Sequence, residues 1–319
     1  MGWDIVGDAI KAIQDWFKGM LADGIIGCLE NTCNTLNDTF GKNNQSIMKN
    51  LLQDTPDKFT GSTAKGATPI WNGIEAITNS AVVPIAIFIL VVVLVYELIQ
   101  MVISGNNFRD FDTSIFFKWS IKGVCGILLV SNVFYIATNV FGLGSSAITK
   151  GLNTLFPSKG DFLSGLDFST VKTTLRTNLM KLDIGGLIVL LILAFLITII
   201  TFIVLGAIII VLSSRMIEVF MYLSISPIPM ATMMNNDWGQ IGKNWLRNIL
   251  ALAFQGFFIV IALTIFKVLL TNVVSQMSHI GTTSAEITGS MAIMLGYIVA
   301  LIFTIFRSSN ISKSAFAAQ

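Results

Sequence analysis

The chain has 319 residues, of which 54% are hydrophobic and only 12% charged, with a net charge of +2. Soluble domains carry about twice that share of charge, so a soluble globular protein is excluded, and no charge excess points to nucleic acid. Three cysteines (Cys28, Cys33, Cys125) and one histidine (His279) are too few for clustered metal or nucleophilic chemistry. We therefore expect no enzymatic activity, no metal and no cofactor.

Residues 1–21 read as an amphipathic helix. Trp3, Val6, Ile10, Ile13, Phe17 and Met20 recur at helical spacing, with Asp4, Asp8, Lys11, Asp15 and Lys18 mostly off that face. Its apolar face suits either the headgroup boundary or a protein surface, and early acidic residues argue against a signal peptide. Residues 22–80 form a polar extramembrane region, with one more weak helix expected over Leu29–Met48 and a linker over Thr55–Thr68. Cys28 and Cys33 are five apart, and a disulfide between them is left open.

Residues 81–306 read as a transmembrane helical domain. A bilayer core of about 30 Å needs roughly 20 apolar residues per helix. The first span is placed at Ala81–Ile103, with Pro84 in its first turn and Glu97 three-quarters along. An intramembrane carboxylate marks a candidate site unless it reaches headgroup depth. The joint that follows carries Arg109, Asp110 and Asp112. The second span is placed at Phe116–Phe141; Lys118 and Lys122 are expected to snorkel to one interface, and Gly123 and Gly126 to permit close helix approach. The connection 142–183 is the longest between spans. Within it Val171, Leu175 and Leu179 predict a short amphipathic helix over Asp167–Leu182, N-capped by Ser169.

From Ile184 to Ser214 no residue is charged, and the apolar run continues past Arg215 and Glu218 to Met234. That is too long for one crossing. Either two spans turn at Ser213–Arg215, or one long span precedes a broken or re-entrant segment. Pro227 and Pro229 exclude a plain helix there. Broken backbone at membrane depth survives only inside protein or lining water, so Ser224–Thr232 is the strongest local hint of function, against the alternative of a kinked span or an interfacial turn. Arg215 and Glu218 lie at i, i+3 and can pair, or can both sit at the membrane edge. Trp238 and Trp245 are interface-anchor types, and Lys243 and Arg247 inside-facing ones. Spans at Leu250–Leu270, with Gln255 near its start, and at Thr288–Phe306 complete the set, before a cytoplasmic tail at 307–319.

The fold class is thus all-α: a polytopic helical membrane protein with five transmembrane helices, or six if the third run turns back, and an N-terminal amphipathic helix. Charge places the C-terminus inside. Five spans put the N-terminus and 142–183 outside, whereas six invert both. With five basic residues in 142–183 against three in the first joint, charge leans slightly to six.

The opening Met-Gly-Trp-Asp-Ile-Val-Gly-Asp-Ala-Ile, Tyr96-Glu97-Leu98-Ile99, and Phe116-Phe117-Lys118-Trp119 resemble the TrbL-like, VirB-six-like conjugal transfer proteins of Gram-positive mobile elements. The most specific match runs from Arg215-Met216-Ile217-Glu218 through Ser226-Pro227-Ile228-Pro229-Met230-Ala231-Thr232 to Trp238-Gly239-Gln240. The resemblance implies a non-catalytic, multi-pass subunit of a type IV secretion system in the cytoplasmic (inner) membrane, with a role in the channel for DNA and relaxase. It implies about five spans, an external N-terminus, an internal C-terminus, and an external central loop matched by 142–183. Expected partners are a coupling protein, an ATPase, a cell-wall hydrolase, the translocating DNA–relaxase substrate, the lipid bilayer and further copies of the chain. Glu97, Arg215, Glu218, Pro227, Pro229, Trp238 and Gln255 are the candidate channel or structural residues. A secondary transporter or small-solute channel is the alternative, weakened by the lack of a paired broken segment in a second half.

Overall fold

The computed structural model describes residues 2–40, 51–61, 69–104, 113–155, 162–163, 168–277 and 283–318, with backbone alone for 2–5, 104, 113, 115 and 155. The Trp3 side chain, the Arg109–Asp112 joint, His279 and the second half of the 55–68 linker lie outside the described residues. Every regular element among those described is helical.

The order is α1 (Gly2–Phe40), α2 (Trp71–Ile77), a π-helical turn (Thr78–Val82), α3 (Val83–Ser104), α4 (Thr113–Ser131), α5 (Val133–Leu155), α6 (Phe168–Leu179), α7 (Ile184–Ser224), α8 (Pro227–Thr232), α9 (Gly239–Gln276) and α10 (Ser284–Ala315). Among the described residues, four helices are long and apolar enough to cross a membrane: Trp71–Ile103, α7, α9 and α10. The pair Phe116–Ser131 and Val133–Thr154, bent by 67°, makes a fifth if counted as one span. The chain is an all-α polytopic membrane protein.

Two expectations change. The second span is not one straight helix over Phe116–Phe141 but α4 and α5, broken at Asn132. The Asn132 side-chain amide donates to the Leu128 carbonyl at 2.9 Å, competing with the backbone ladder. The third run does not turn back at Ser213–Arg215. α7 passes through those residues as continuous helix and, at about 1.5 Å per residue, extends roughly twice the hydrocarbon thickness. Of the two arrangements, the long helix followed by a break is the one adopted.

The chain divides into two compact units. Unit one holds Met1–Lys49, Leu152–Val211 and Val260–Phe306. Here α1 does not stop near residue 21 but runs on to Phe40, and from Leu21 its inward face is buried: Ala22, Ile25, Ile26, Leu29, Cys33 and Leu36. Burial of that stripe outweighs the polar composition of the segment. α6 packs on α1, and Val171, Leu175 and Leu179 are buried as their spacing predicts. Ser169 is itself helical, within α6, rather than capping it. Arg176 holds Asp23 with two bonds, at 2.7 and 3.0 Å, and Lys172 reaches Glu30 at 2.9 Å. The Arg176 guanidinium keeps the Asp23 carboxyl below its usual range. Thr198 on α7 contacts Thr32 at 3.2 Å and donates to the Cys28 carbonyl at 3.2 Å. Cys28 and Cys33 are both free thiols. Burial pushes the Cys33 thiol up to about 12.

Unit two holds Asn50–Gly151, Leu212–Ile259 and Arg307–Gln319. α3, α4 and the short α8 pack on one another. Gly126 rather than Gly123 is the close-approach position: a Cβ on it would lie 2.7 Å from Leu90 and 3.0 Å from Met234, whereas at Gly123 the nearest atom is an ordinary 3.6 Å away.

Candidate functional site: a broken segment held by buried polar groups

The break begins where α7 runs out of backbone donors. Pro227 and Pro229 lack an N–H, and both fall in the first turn of α8, where the donor is not needed. The Ser226 hydroxyl donates to the Leu223 carbonyl at 2.6 Å and that of Thr232 to the Pro229 carbonyl at 2.8 Å. Freed carbonyls therefore find partners inside the segment. Pro227, Pro229, Met230, Ala231 and Thr232 are all buried. Gly242 presses against Met233 and the Pro229 carbonyl so closely that no side chain fits there.

Beyond α8, Asn235 organises the return. Its Oδ1 accepts from the backbone N–H of Asp237 at 2.9 Å and of Trp238 at 3.0 Å, starting α9. Its Nδ2 donates to Glu97 Oε2 at 2.6 Å and lies 3.4 Å from Gln100 Oε1. Glu97 is 2% exposed and its other oxygen forms an ion pair with Lys122 of α4. Gln100 Nε2 donates to Asp237 Oδ2 at 2.6 Å. One buried carboxylate thus ties α3, α4 and the turn after α8 together. Tyr96 and Trp238 stack alongside, with centroids 5.6 Å apart and planes 12° apart.

Among the expected site residues, the structure brings Glu97, Pro227, Pro229 and Trp238 into this assembly. Glu97 is buried within the protein. Lys122 does not snorkel outward but turns in to it, because a carboxylate taken out of water needs a counter-charge; Lys118 remains exposed. Asn235 and Gln100 were missed. The Asn-Asn-Asp-Trp-Gly turn signal was visible, but nothing in sequence shows that Asn235 reaches a residue 138 positions earlier.

Arg215, Glu218 and Gln255 belong to another part of unit two. The expected Arg215–Glu218 pair is not formed. Arg215 is buried and its Nε donates to the Leu252 carbonyl of α9 at 3.0 Å, while Glu218 accepts from Lys313 at 3.3 Å. The two carboxylate and guanidinium groups face different helices: Arg215 is drawn into the α7–α9 packing, and Glu218 lies at its rim. Gln255 is buried and contacts Ser308 at 3.4 Å. Trp245 is buried rather than anchored at an interface, donating to the Tyr222 carbonyl at 3.1 Å.

Among the described residues no cluster of three His, Cys, Asp or Glu is placed to hold a metal ion. A groove of about 320 Å³ lined by Phe59, Ile70, Ile74, Ile217, Phe220, Met221 and Ser224 is apolar except for the serine. The arrangement clamps a helix break inside a membrane protein.

No curated protein and no solved structure matches this chain. The profile of the TrbL/VirB6 plasmid conjugal transfer-like proteins matches residues 44–227, more than half of the chain and all of the region from α2 to the first proline of the break. By that match and its apolar helical architecture, the chain is a membrane protein belonging to the TrbL/VirB6 plasmid conjugal transfer-like family.

Proposed function

We propose that the protein is a non-catalytic channel or scaffold subunit of a type IV secretion system, helping DNA–relaxase substrate cross the cytoplasmic membrane of a Gram-positive donor. Family membership supports a place in a conjugation complex. The observation that carries the finer reading is the buried break at Ser224–Asn235, held through Glu97, Lys122 and Asn235. Broken backbone in a membrane protein is viable only inside protein or beside water, and a secretion conduit needs such non-lipid surface. Four or five crossings in one chain are too few to enclose DNA, so several copies assemble.

The same reading places the C-terminus in the cytoplasm, and the N-terminus and 142–183 outside. The N-terminal half of α1 offers Val6, Ile10, Ile13, Trp16 and Met20 as an exposed apolar face for a neighbouring subunit such as the coupling protein, ATPase or hydrolase assembly, or for the bilayer. The decisive experiment replaces both Pro227 and Pro229 with Ala. Plasmid transfer is expected to fall at least tenfold while insertion and expression persist; wild-type transfer would remove the role of the break. Deleting residues 2–21 is expected to reduce copurification of partner subunits without preventing insertion, and unchanged copurification argues against the N-terminal assignment.

A further inference from the structure

The residues expected as a cytoplasmic tail are not a tail. α10 continues to Ala315, and within unit two its last turns lie on α9 and α7. Ser308 and Ser312 are buried. The Ser312 hydroxyl donates to the Ala251 carbonyl at 2.5 Å, and Ser308 meets Gln255 at 3.4 Å. Lys313 donates to Glu218 at 3.3 Å, and the Phe316 ring sits 5.3 Å from that of Phe254.

Two features bear on how tightly this docking is held. First, its one ion pair is half-exposed on both sides, a kind that contributes little. Second, a competing partner for Glu218 lies one helical turn back: Arg215, whose Nη1 is buried without a hydrogen-bond partner among the described residues. Side chains three apart on a helix meet, and a buried donor left unmade is a standing penalty. Once undocked, the Ser308 and Ser312 hydroxyls can bond carbonyls of their own helix, so release orphans no hydroxyl.

We propose that the segment 307–316 is a releasable latch, and that its release hands Glu218 from Lys313 to Arg215. Closed, Lys313 holds Glu218 and the α9 face around Ala251 and Phe254 is covered. Open, Glu218 satisfies the guanidinium and that face is bared.

The test uses the full-length protein in lipid nanodiscs and reads amide hydrogen exchange in 307–316. Lys313→Gln removes the closed-state pair and is expected to raise exchange there about two- to fivefold, the range for a half-exposed ion pair. Adding Glu218→Gln then removes the open-state pair, so exchange in the double variant is expected to drop at least twofold below Lys313→Gln alone. Exchange unmoved by Lys313→Gln overturns the latch. A double variant that exchanges as fast as Lys313→Gln, or faster, overturns the hand-over, since static packing gives Glu218 no second partner.

Discussion

Across the α1–α6 seam of unit one, Arg176 and Lys172 meet Asp23 and Glu30 in the open, over a buried row of Val171, Leu175 and Leu179. In unit two the order is reversed: Glu97 is sealed inside with Lys122 and Asn235, while the outer faces of α3 and α4 are apolar, with Phe88 71% and Phe117 67% exposed. The first arrangement is that of a water-facing surface, where apolar burial stabilises and rim charges add orientation. The second is that of a lipid-facing domain, where oil is available on the outside and the scarce specific contacts are polar and internal. The same residue types therefore carry different weight at the α1–α6 seam and around Glu97.

The sharpest way to break this contrast is to unpair the buried site. Lys122→Met leaves the Glu97 carboxylate buried without its counter-charge and is expected to cost about 3 kcal/mol. Glu97→Gln is expected to cost roughly half as much, because Lys122 can then snorkel to the interface. Thermal unfolding in detergent should rank Lys122→Met as the less stable; the opposite ranking means the pair is not buried as described. In unit one, Leu175→Ala is expected to cost about 2–3 kcal/mol by truncating a buried side chain. Arg176→Ala is expected to cost much less, because both members of its pair stand in solvent. Equal losses from these two substitutions would show that the seam depends on its charges.

Smaller effects sharpen the picture. Asp23 has a lowered carboxyl pKa when docked to Arg176. The stability it adds is present above its unfolded value, about 3.9, and is lost as pH falls through the lower folded value. Exchange protection of α6 should therefore be flat from about pH 5 to 8 and weaken only below about pH 4. Weakening near pH 6 would point to another group. Finally, a thiol raised to about 12 is protonated at ordinary pH and thiolate is the reactive form. Cys33 should label with maleimide far more slowly at pH 8 in folded protein than after unfolding, and an equal rate would place it on the surface.

Composition and hydropathy alone determined the solvent of this chain. Uncharged runs of spanning length require helices in lipid, because backbone groups have no other partner there, and 3.6-residue periodicity was enough to place α6 and its buried face. Two prolines within three residues announced a break. What sequence could not decide were the pairings between residues far apart in the chain: Glu97 with Lys122 and Asn235, Lys313 with Glu218 instead of Arg215, or the bend at Asn132 in a run that reads as one span. Local pattern sets which face of a helix is apolar, but a lone charge within that pattern is compatible with an interface, a pore or a buried partner. Only tertiary packing chooses among them, because the cost of burying a charge depends on what else is brought within hydrogen-bonding reach.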